Sequence, residues 1–255
     1  MVEQGILTEE QVATFHHDGY LVIPKLYGVE EMAEILAWTE DMENRPEAPG
    51  KYMKYFEESR TEPGKRLLNR LENFAPYHES FDGLFKGPKI LGAVSQLFGE
   101  QAVLFKEKIN FKLAGADGFK VHQDVQAGWD KFGSLHITAL VSIDATTPAN
   151  GCLEMAGGHH KRGLIGSMWE PMSDDDIAGM EFRVLTTAPG DAVFFDSFAP
   201  HRSGPNDTNE PRRVLYTTYN RLSEGDFREQ YYREKRANFP PDCERDPDKS
   251  YAFRV

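Results

Sequence analysis

The chain reads as a mainly β protein, a two-sheet antiparallel jelly roll flanked by N-terminal and C-terminal α-helices. Three features of the sequence predict this. Helical periodicity is confined to roughly the first hundred residues and a short C-terminal stretch. Between them lie many short apolar runs of uneven length. Strands and helices nowhere alternate, which argues against a doubly wound parallel sheet. The 255 residues are read as one domain, with a helical support over about 5–100, a jelly-roll core over about 101–222 and a helical tail over 223–255.

Each element has its own warrant. Thr8 followed by Gln11 is a capping box that opens a short helix, with Val12, Phe15 and His16 turned inwards and Gly19 ending it. Tyr20-Leu21-Val22-Ile23 is a strand closed by Pro24. An acidic amphipathic helix follows over 29–43, with Met32, Ile35, Leu36 and Met42 as its buried stripe. Residues 44–64 contain Pro46, Pro49, Gly50, Pro63 and Gly64 and are expected to be irregular, with 52–56 as a strand or a lid. A helix after Pro88 runs through Ile90, Leu91, Val94, Leu97 and Phe98 to Gly99. From Ala102 to Leu113 a long strand places Lys106, Lys108, Asn110 and Lys112 on one face and Phe105, Glu107, Ile109 and Phe111 on the other. The polar face meets either solvent or a polar cavity. Further strands are expected at 135–143, 151–155, 183–187, 193–195 and 214–219. A last helix over 223–239 would dock through Tyr231 and Tyr232.

The formal charge of −12 and the pI of about 5.2 argue against a nucleic-acid or membrane-surface binder, yet leave room for a basic pocket and an anionic small-molecule substrate. The two cysteines, Cys152 and Cys243, form neither a zinc cluster nor a disulfide framework, which suits a reducing, cytoplasmic setting. Met1-Val2-Glu3-Gln4 is polar and is read as lacking a secretory signal, and no apolar run approaches the ~20 residues that span a bilayer.

The chemistry centres on His122-Gln123-Asp124. On a strand, residues i and i+2 share a face, so the imidazole and the carboxylate can aim at one point. His201, at the far end of the apolar run 194–198, is the best third ligand. Two histidines and a carboxylate on one face leave positions open for substrate, the arrangement of non-haem Fe(II) oxygenases. Arg212 follows eleven residues after His201 and could hold a carboxylate by a two-pronged contact.

The full set of motifs resembles the phytanoyl-CoA dioxygenase family of Fe(II)/2-oxoglutarate oxygenases. It comprises His122-x-Asp124, Asn150-Gly151-Cys152-Leu153-Glu154-Met155-Ala156-Gly157-Gly158-His159, Pro189-Gly190-Asp191, His201-x-Ser203-Gly204 and Arg212, with an N-terminal match from Leu7 to Val22. The resemblance covers about 5–222 and implies a cupin-like double-stranded β-helix. It also implies that His122, Asp124 and His201 bind Fe(II), that 2-oxoglutarate and dioxygen are cosubstrates, and that a substrate C–H bond is hydroxylated. By the same resemblance Arg212 and Ser203 receive the distal carboxylate of 2-oxoglutarate, and Asn110 contacts it. Arg213, next in the strand, faces the other way. Thr138 and Lys108 are further candidates, on strand faces inferred to point inwards. Trp129 is placed as a wall of the substrate site and Gln126 as part of its lining. Asp124 argues against the halogenating relatives, which carry a small residue there. His136, His159 and His160 are read as structural, and His16, His17 and His78 as surface or helix residues.

The segments Lys106 to Lys112 and Gly118 to Trp129 are similar to the branch that hydroxylates small aminoalkylphosphonates next to phosphorus. Such a zwitterion needs basic groups for the phosphonate, with Lys108 or Arg221 as candidates, and an aromatic patch for the ammonium, with Trp129, Tyr52 or Tyr55. The alternatives are hydroxylation of another small metabolite or of an acyl-CoA, a non-catalytic binding jelly roll, and a zinc hydrolase, since a His₂-carboxylate set also binds Zn²⁺. The zinc reading leaves Arg212 and Ser203 without a role.

Overall fold

The structure is a computed structural model that describes residues 5–251; the tetrapeptide Met1 to Gln4 lies outside them. Helix α1 (Glu9–Asp18) opens with the expected reciprocal Thr8–Gln11 cap and closes at Gly19, whose φ of 79° suits only glycine at such a stop. Phe15 is its buried anchor, whereas His16 faces solvent. Strand β1 (Tyr20–Ile23) follows, then α2 (Val29–Asn44), which buries Met32, Ile35 and Met42.

Residues 44–64 contain the strand that was one reading of 52–56. This is β2 (Met53–Glu58), which pairs with β3 (Arg66–Glu72) in a hairpin along one edge of the large sheet. Helix α3 (Glu79–Lys86) stacks Phe81 and Phe85 into the core, and a turn of π-helix at Pro88–Gly92 continues into α4 (Ala93–Phe98). Strands β4 (Ala102–Lys112), β5 (Phe119–His122), β6 (Ile137–Ser142), β7 (Leu153–Ala156), β8 (Phe182–Leu185), β9 (Ala192–Asp196), β10 (His201–Ser203) and β11 (Arg212–Arg221) complete a jelly roll, and α5 (Arg228–Asn238) follows. All pairings are antiparallel. The large sheet has the order β1-β9-β6-β11-β4-β3-β2 and the small one β5-β10-β7-β8.

Period-2 alternation decides what each face of the large sheet meets. Ala139, Val141, Phe194, Leu215 and Tyr219 pack outwards against the N-terminal helices. Leu140, Val193, Phe195, Val214 and Tyr216 pack inwards against Leu153, Met155 and Leu185 of the small sheet. A strand covered on both faces needs apolar residues at every position, which is why 139–141 and 193–195 read as continuous apolar runs. Strand β4 departs from its alternation at one point. Lys106 and Leu104 face consecutive residues of β11, so Phe105 is an extra residue in a bulge. Its ring packs on Trp129, His136 and Tyr231, on the side where Lys106 also lies.

The C-terminal helix is tied down by charge as well as by its two tyrosines. Arg228 forms an ion pair with Glu107, which is fully buried on β4, and Tyr232 Oη donates to the Glu107 carbonyl at 3.0 Å. Removing one member of a buried pair strands the other. Arg228→Met is expected to lower unfolding free energy by about 3–5 kcal/mol, read from the urea midpoint, whereas Arg233→Met on the same helix should have little effect.

Candidate active site

His122 ends β5 and His201 opens β10, and the two are paired residues of the β5–β10 ladder with ring centroids 4.3 Å apart. His201 thus belongs to a short strand of the second sheet, not to the end of the apolar strand β9. Asp124 is not on the strand either: the chain leaves β5 after His122, and Asp124 starts a 3-10 turn, Asp124–Ala127. The residue between them makes this departure possible. Gln123 is fully buried, its amide donates to the carbonyls of Gly163 and Phe198 at 2.9 and 2.6 Å, and its oxygen accepts from Ile165 N at 2.7 Å.

The three side chains converge. One ligand atom from each of His122, Asp124 and His201 lies within 4.8 Å of the others, and Asp124 Oδ1 is 3.9 Å from both Nε2 atoms. His122 Nδ1 contacts the Lys120 carbonyl at 2.7 Å and His201 Nδ1 that of Ala199 at 3.0 Å. A carbonyl only accepts, so each Nδ1 carries the proton and each Nε2 offers a lone pair. Burial, with His201 alongside, pulls the His122 pKa down to about 3, and burial also lowers that of His201, so both rings are neutral. Burial pushes the Asp124 carboxyl up, but His201, Lys108 and His122 outweigh it and hold it below its ordinary value. Two neutral imidazoles and a carboxylate on one side fit a divalent transition metal with open positions. Thr138 Oγ is 3.3 Å from Asp124 Oδ2 and 2.9 Å from Thr218 Oγ, so Thr138 braces the carboxylate.

From the metal ligands a ladder of inward residues runs along β11: Thr218, Tyr216, Val214 and Arg212. At its far end Arg212 is buried and donates to the carbonyls of Gly151 at 2.6 Å and Asn150 at 3.4 Å. Lys112, its direct partner across the ladder, is buried too, and donates to Ser203 Oγ at 2.8 Å and to the Gly204 carbonyl at 2.5 Å. Neither cation has a carboxylate in ion-pair contact among the described residues. Buried charges require partners, so this pair suits an incoming carboxylate. Arg213 faces outwards and pairs with Asp144 at 2.8 Å, as the alternation requires.

On the other side of His122 and Asp124 opens a cleft of about 600 Å³. Lys108 lines it beside the two ligands, with its ammonium 4.7 Å from the Tyr216 ring centre and no ion pair among the described residues. Burial pulls its pKa down to about 8. Lys106, Arg70 and Lys235 form a second basic group facing the single buried carboxylate of Glu72. Burial would raise the Glu72 pKa, but Lys106, Lys235 and Arg70 outweigh it and hold it well below the carboxylate range. Trp129, Tyr231 and Phe132 form a wall, and Trp169 and Phe239 stack with centroids 5.9 Å apart at residues that also line the cleft. Two buried polar atoms, Asn110 Oδ1 and Trp129 Nε1, have no partner.

Several sequence-based expectations need correction. Gln126 does not line the cleft: its amide donates to the Ser167 and Glu170 carbonyls, both at 2.7 Å, and its oxygen accepts from Gln123 N. It anchors the 167–170 loop instead. Arg221 lies outside the site, paired with Glu100 and stacked on Phe98. The Tyr52 hydroxyl donates to the Pro46 carbonyl, and its ring joins the core under the N-terminal helices. The Tyr55 hydroxyl donates to the Phe239 carbonyl at 2.8 Å, so it supports the segment that lines the cleft without lining it itself. Sequence reasoning passed over Tyr216, Lys106, Lys235 and Tyr231 as site residues. The period-2 pattern from Arg212 would have found Tyr216; the cleft side chains of α5 carried no signal.

Comparisons with known proteins agree with this geometry. The family described as phytanoyl-CoA dioxygenase (PhyH) matches residues 15–214. The chain is 43% identical over 251 residues to a 2-aminoethylphosphonate dioxygenase of Uncultured bacterium HF130_AEPn_1, covering 96% of this chain and 94% of that one. It is 39% identical over 234 residues to a methylphosphonate hydroxylase of Gimesia maris, covering 91% and 88%. Among solved structures, EctD from S. alaskensis with 2-oxoglutarate and 5-hydroxyectoine superposes with a TM-score of 0.75 at 20% identity, over 88% of this chain and 79% of that one, which shows a shared fold. With the fold, the convergent His-Asp-His group and these matches in agreement, the chain belongs to the phytanoyl-CoA dioxygenase family and is an Fe(II)- and 2-oxoglutarate-dependent dioxygenase.

Proposed function

We propose that the enzyme hydroxylates the carbon next to phosphorus in a small phosphonate, with 2-aminoethylphosphonate or its N-trimethyl analogue as substrate, in a reducing, cytoplasmic setting. The observation that carries this reading is Lys108, a half-buried ammonium with no ion pair among the described residues, which lines the cleft beside His122 and Asp124. A phosphonate held there brings its α-carbon to the metal. The names of two similar proteins point to the same ligand chemistry, a phosphorus oxyanion bearing a C–H bond. Methylphosphonate would leave most of the cleft empty, whereas an ammonium-bearing chain could use the faces of Trp129 and Tyr231 and the Glu234 carboxylate.

In this reading His122, Asp124 and His201 hold Fe(II), with Thr138 fixing the Asp124 orientation. Arg212 and Ser203 take the distal carboxylate of 2-oxoglutarate, and Asn110, buried on the inner face of β4, contacts the cosubstrate through its amide NH₂, the group able to donate. The bound iron, with 2-oxoglutarate and dioxygen, supplies the oxidation: the keto acid ends as succinate and CO₂, and the substrate gains a hydroxyl. The protein's share is to position one C–H bond and to exclude water. Trp129, Phe132 and Tyr231 do the second, since a wet cleft would favour 2-oxoglutarate consumption without product.

Three outcomes test this. Incubation with Fe(II), 2-oxoglutarate and either aminophosphonate should add the mass of one oxygen atom to the substrate with matching succinate; turnover of 2-oxoglutarate without that product would remove the substrate assignment. Lys108→Met should raise KM for the phosphonate by about tenfold or more and uncouple succinate formation from product, since a charge-assisted contact of ~1.5–3 kcal/mol is lost. Arg212→Ala should weaken 2-oxoglutarate by about 30- to 150-fold (~2–3 kcal/mol), read by anaerobic titration of the visible chelate band.

A further inference from the structure

We infer that Lys112 is a positioning residue for the cosubstrate: it orients the Ser203 hydroxyl and supplies, with Arg212, the positive charge that receives the distal carboxylate of 2-oxoglutarate. This rests on the assignment of Arg212 and Ser203 made above. Lys112 and Arg212 are directly paired residues of the β4–β11 ladder, and both are buried. Like charges placed opposite each other in a sheet destabilise it. They also share an acceptor, since the Gly151 carbonyl lies 2.6 Å from Arg212 Nη2 and 3.5 Å from Lys112 Nζ. Their other polar contacts are to neutral oxygens, among them the Asn150 carbonyl, the Gly204 carbonyl, Ser203 Oγ and the Tyr216 hydroxyl, and Lys112 also lies 5.4 Å from the Phe119 ring centre.

The surroundings are built to hold these acceptors in place. Gly151 has a φ of 73°, and a Cβ there would lie 2.1 Å from the Gly204 carbonyl oxygen, so only glycine lets the two backbones meet. Their carbonyls then face the same lysine. An ammonium has three donors and no acceptor. When Lys112 donates to Ser203 Oγ, the serine's own proton is left to point elsewhere, and the anion expected at Arg212 is what it can reach. Lys112 therefore acts through Ser203 and through its charge, without itself contacting the reacting atoms.

The titratable groups that act on Lys112 are Arg212 on β11, Glu57 on β2, Asp117 in the loop before β5 and the Cys152 thiol before β7, whose own pKa burial raises. Burial, and then Arg212, pull its pKa down to about 6 despite the two carboxylates. An anion bound between the cations raises that value again. A proton is then taken up on binding, so affinity is highest below pH ~6 and falls as pH rises through that value, by at most about tenfold per pH unit.

The test is an anaerobic titration of the Fe(II)-loaded protein with 2-oxoglutarate, followed by the chelate band and by calorimetry in two buffers of different ionisation heat. Lys112→Met is expected to weaken binding by about tenfold or more. Ser203→Ala added to it should cost less than Ser203→Ala alone, because the two act as one unit. Wild type should take up a proton near pH 7, and Lys112→Met should not. Binding by Lys112→Met within about twofold of wild type, with Arg212→Ala still weak, overturns the role of Lys112 and leaves the Arg212 assignment standing. Unchanged binding in both variants overturns the assignment and this inference together. If Lys112→Met does not fold, wild type decides alone: affinity that weakens from pH 6 to 8 with proton uptake supports the role, and a flat profile without uptake overturns it.

Discussion

The active site depends on one cross-strand pairing, His122 of β5 against His201 of β10. β10 is only three residues long, yet it lies between β5 and β7 and carries both His201 and Ser203. The register that sets the imidazoles 4.3 Å apart therefore also sets Ser203 near Lys112 and Gly204 near Gly151. A slip of one residue would turn both functional side chains to the opposite face. Gln123 protects the arrangement from the other side. With each side-chain polar group satisfied by backbone of 163–165 and 198, it locks the point where the chain stops being strand and Asp124 can swing in beside the histidines.

How much of this was legible follows from whether the signal was local. The Thr8 cap, the Gly19 stop, the alternation of β4 and the apolar runs of β6 and β9 are set by neighbours in sequence, and all can be read directly. The convergence of His122, Asp124 and His201 was legible as a pattern, though for a partly wrong reason: two residues on one strand face were expected, and a strand end followed by a 3-10 turn was found. Strand β2 was one of the two readings of 52–56, but its partner β3 was hidden by the proline and glycine flanks before it and by Arg66, Arg70 and Glu72, which give it a polar look. Its apolar residues are buried by the rest of the sheet and by helices far away in sequence. Gln126, Arg221, Tyr52 and Tyr55 were misplaced because a polar or aromatic residue near a motif gives no sign of which carbonyl it will cap.

Strand β4 explains how an acidic protein with a net charge of −12 holds a basic interior. Lys106, Lys108, Asn110 and Lys112 project to its inner side, and the bulge at Phe105 adds an aromatic residue to that side just before them. Solvent-facing lysines need no partners, but these are covered by β10, by α5 and by Trp129. Each basic group is then assigned by what lies across from it. Lys106 shares Glu72 with Lys235 and Arg70, and Lys112 has carbonyls and a hydroxyl. Lys108, between them and beside His122 and Asp124 in the cleft, has the face of Tyr216 and no ion pair among the described residues.

Each proposed ligand presents an anionic group, the distal carboxylate of 2-oxoglutarate or the phosphonate, so negative charge alone does not assign each to its own site; donor geometry can. At the Arg212 end, a planar guanidinium and a directed hydroxyl sit in a narrow space lined by Leu140, Leu153 and Val214, which suits a flat carboxylate on a thin carbon chain. On the cleft side the donor beside His122 and Asp124 is Lys108, a point charge on a flexible stem, within a volume of about 600 Å³ walled by aromatic rings. In the proposed assignment a tetrahedral phosphonate with three oxygens takes the second environment and the flat distal carboxylate the first. His122 and Asp124 line the cleft and Arg212 lies at the far end of the β11 ladder, so in the proposed arrangement the shape of each anion would direct the keto acid towards Arg212 and the C–H bond towards the cleft.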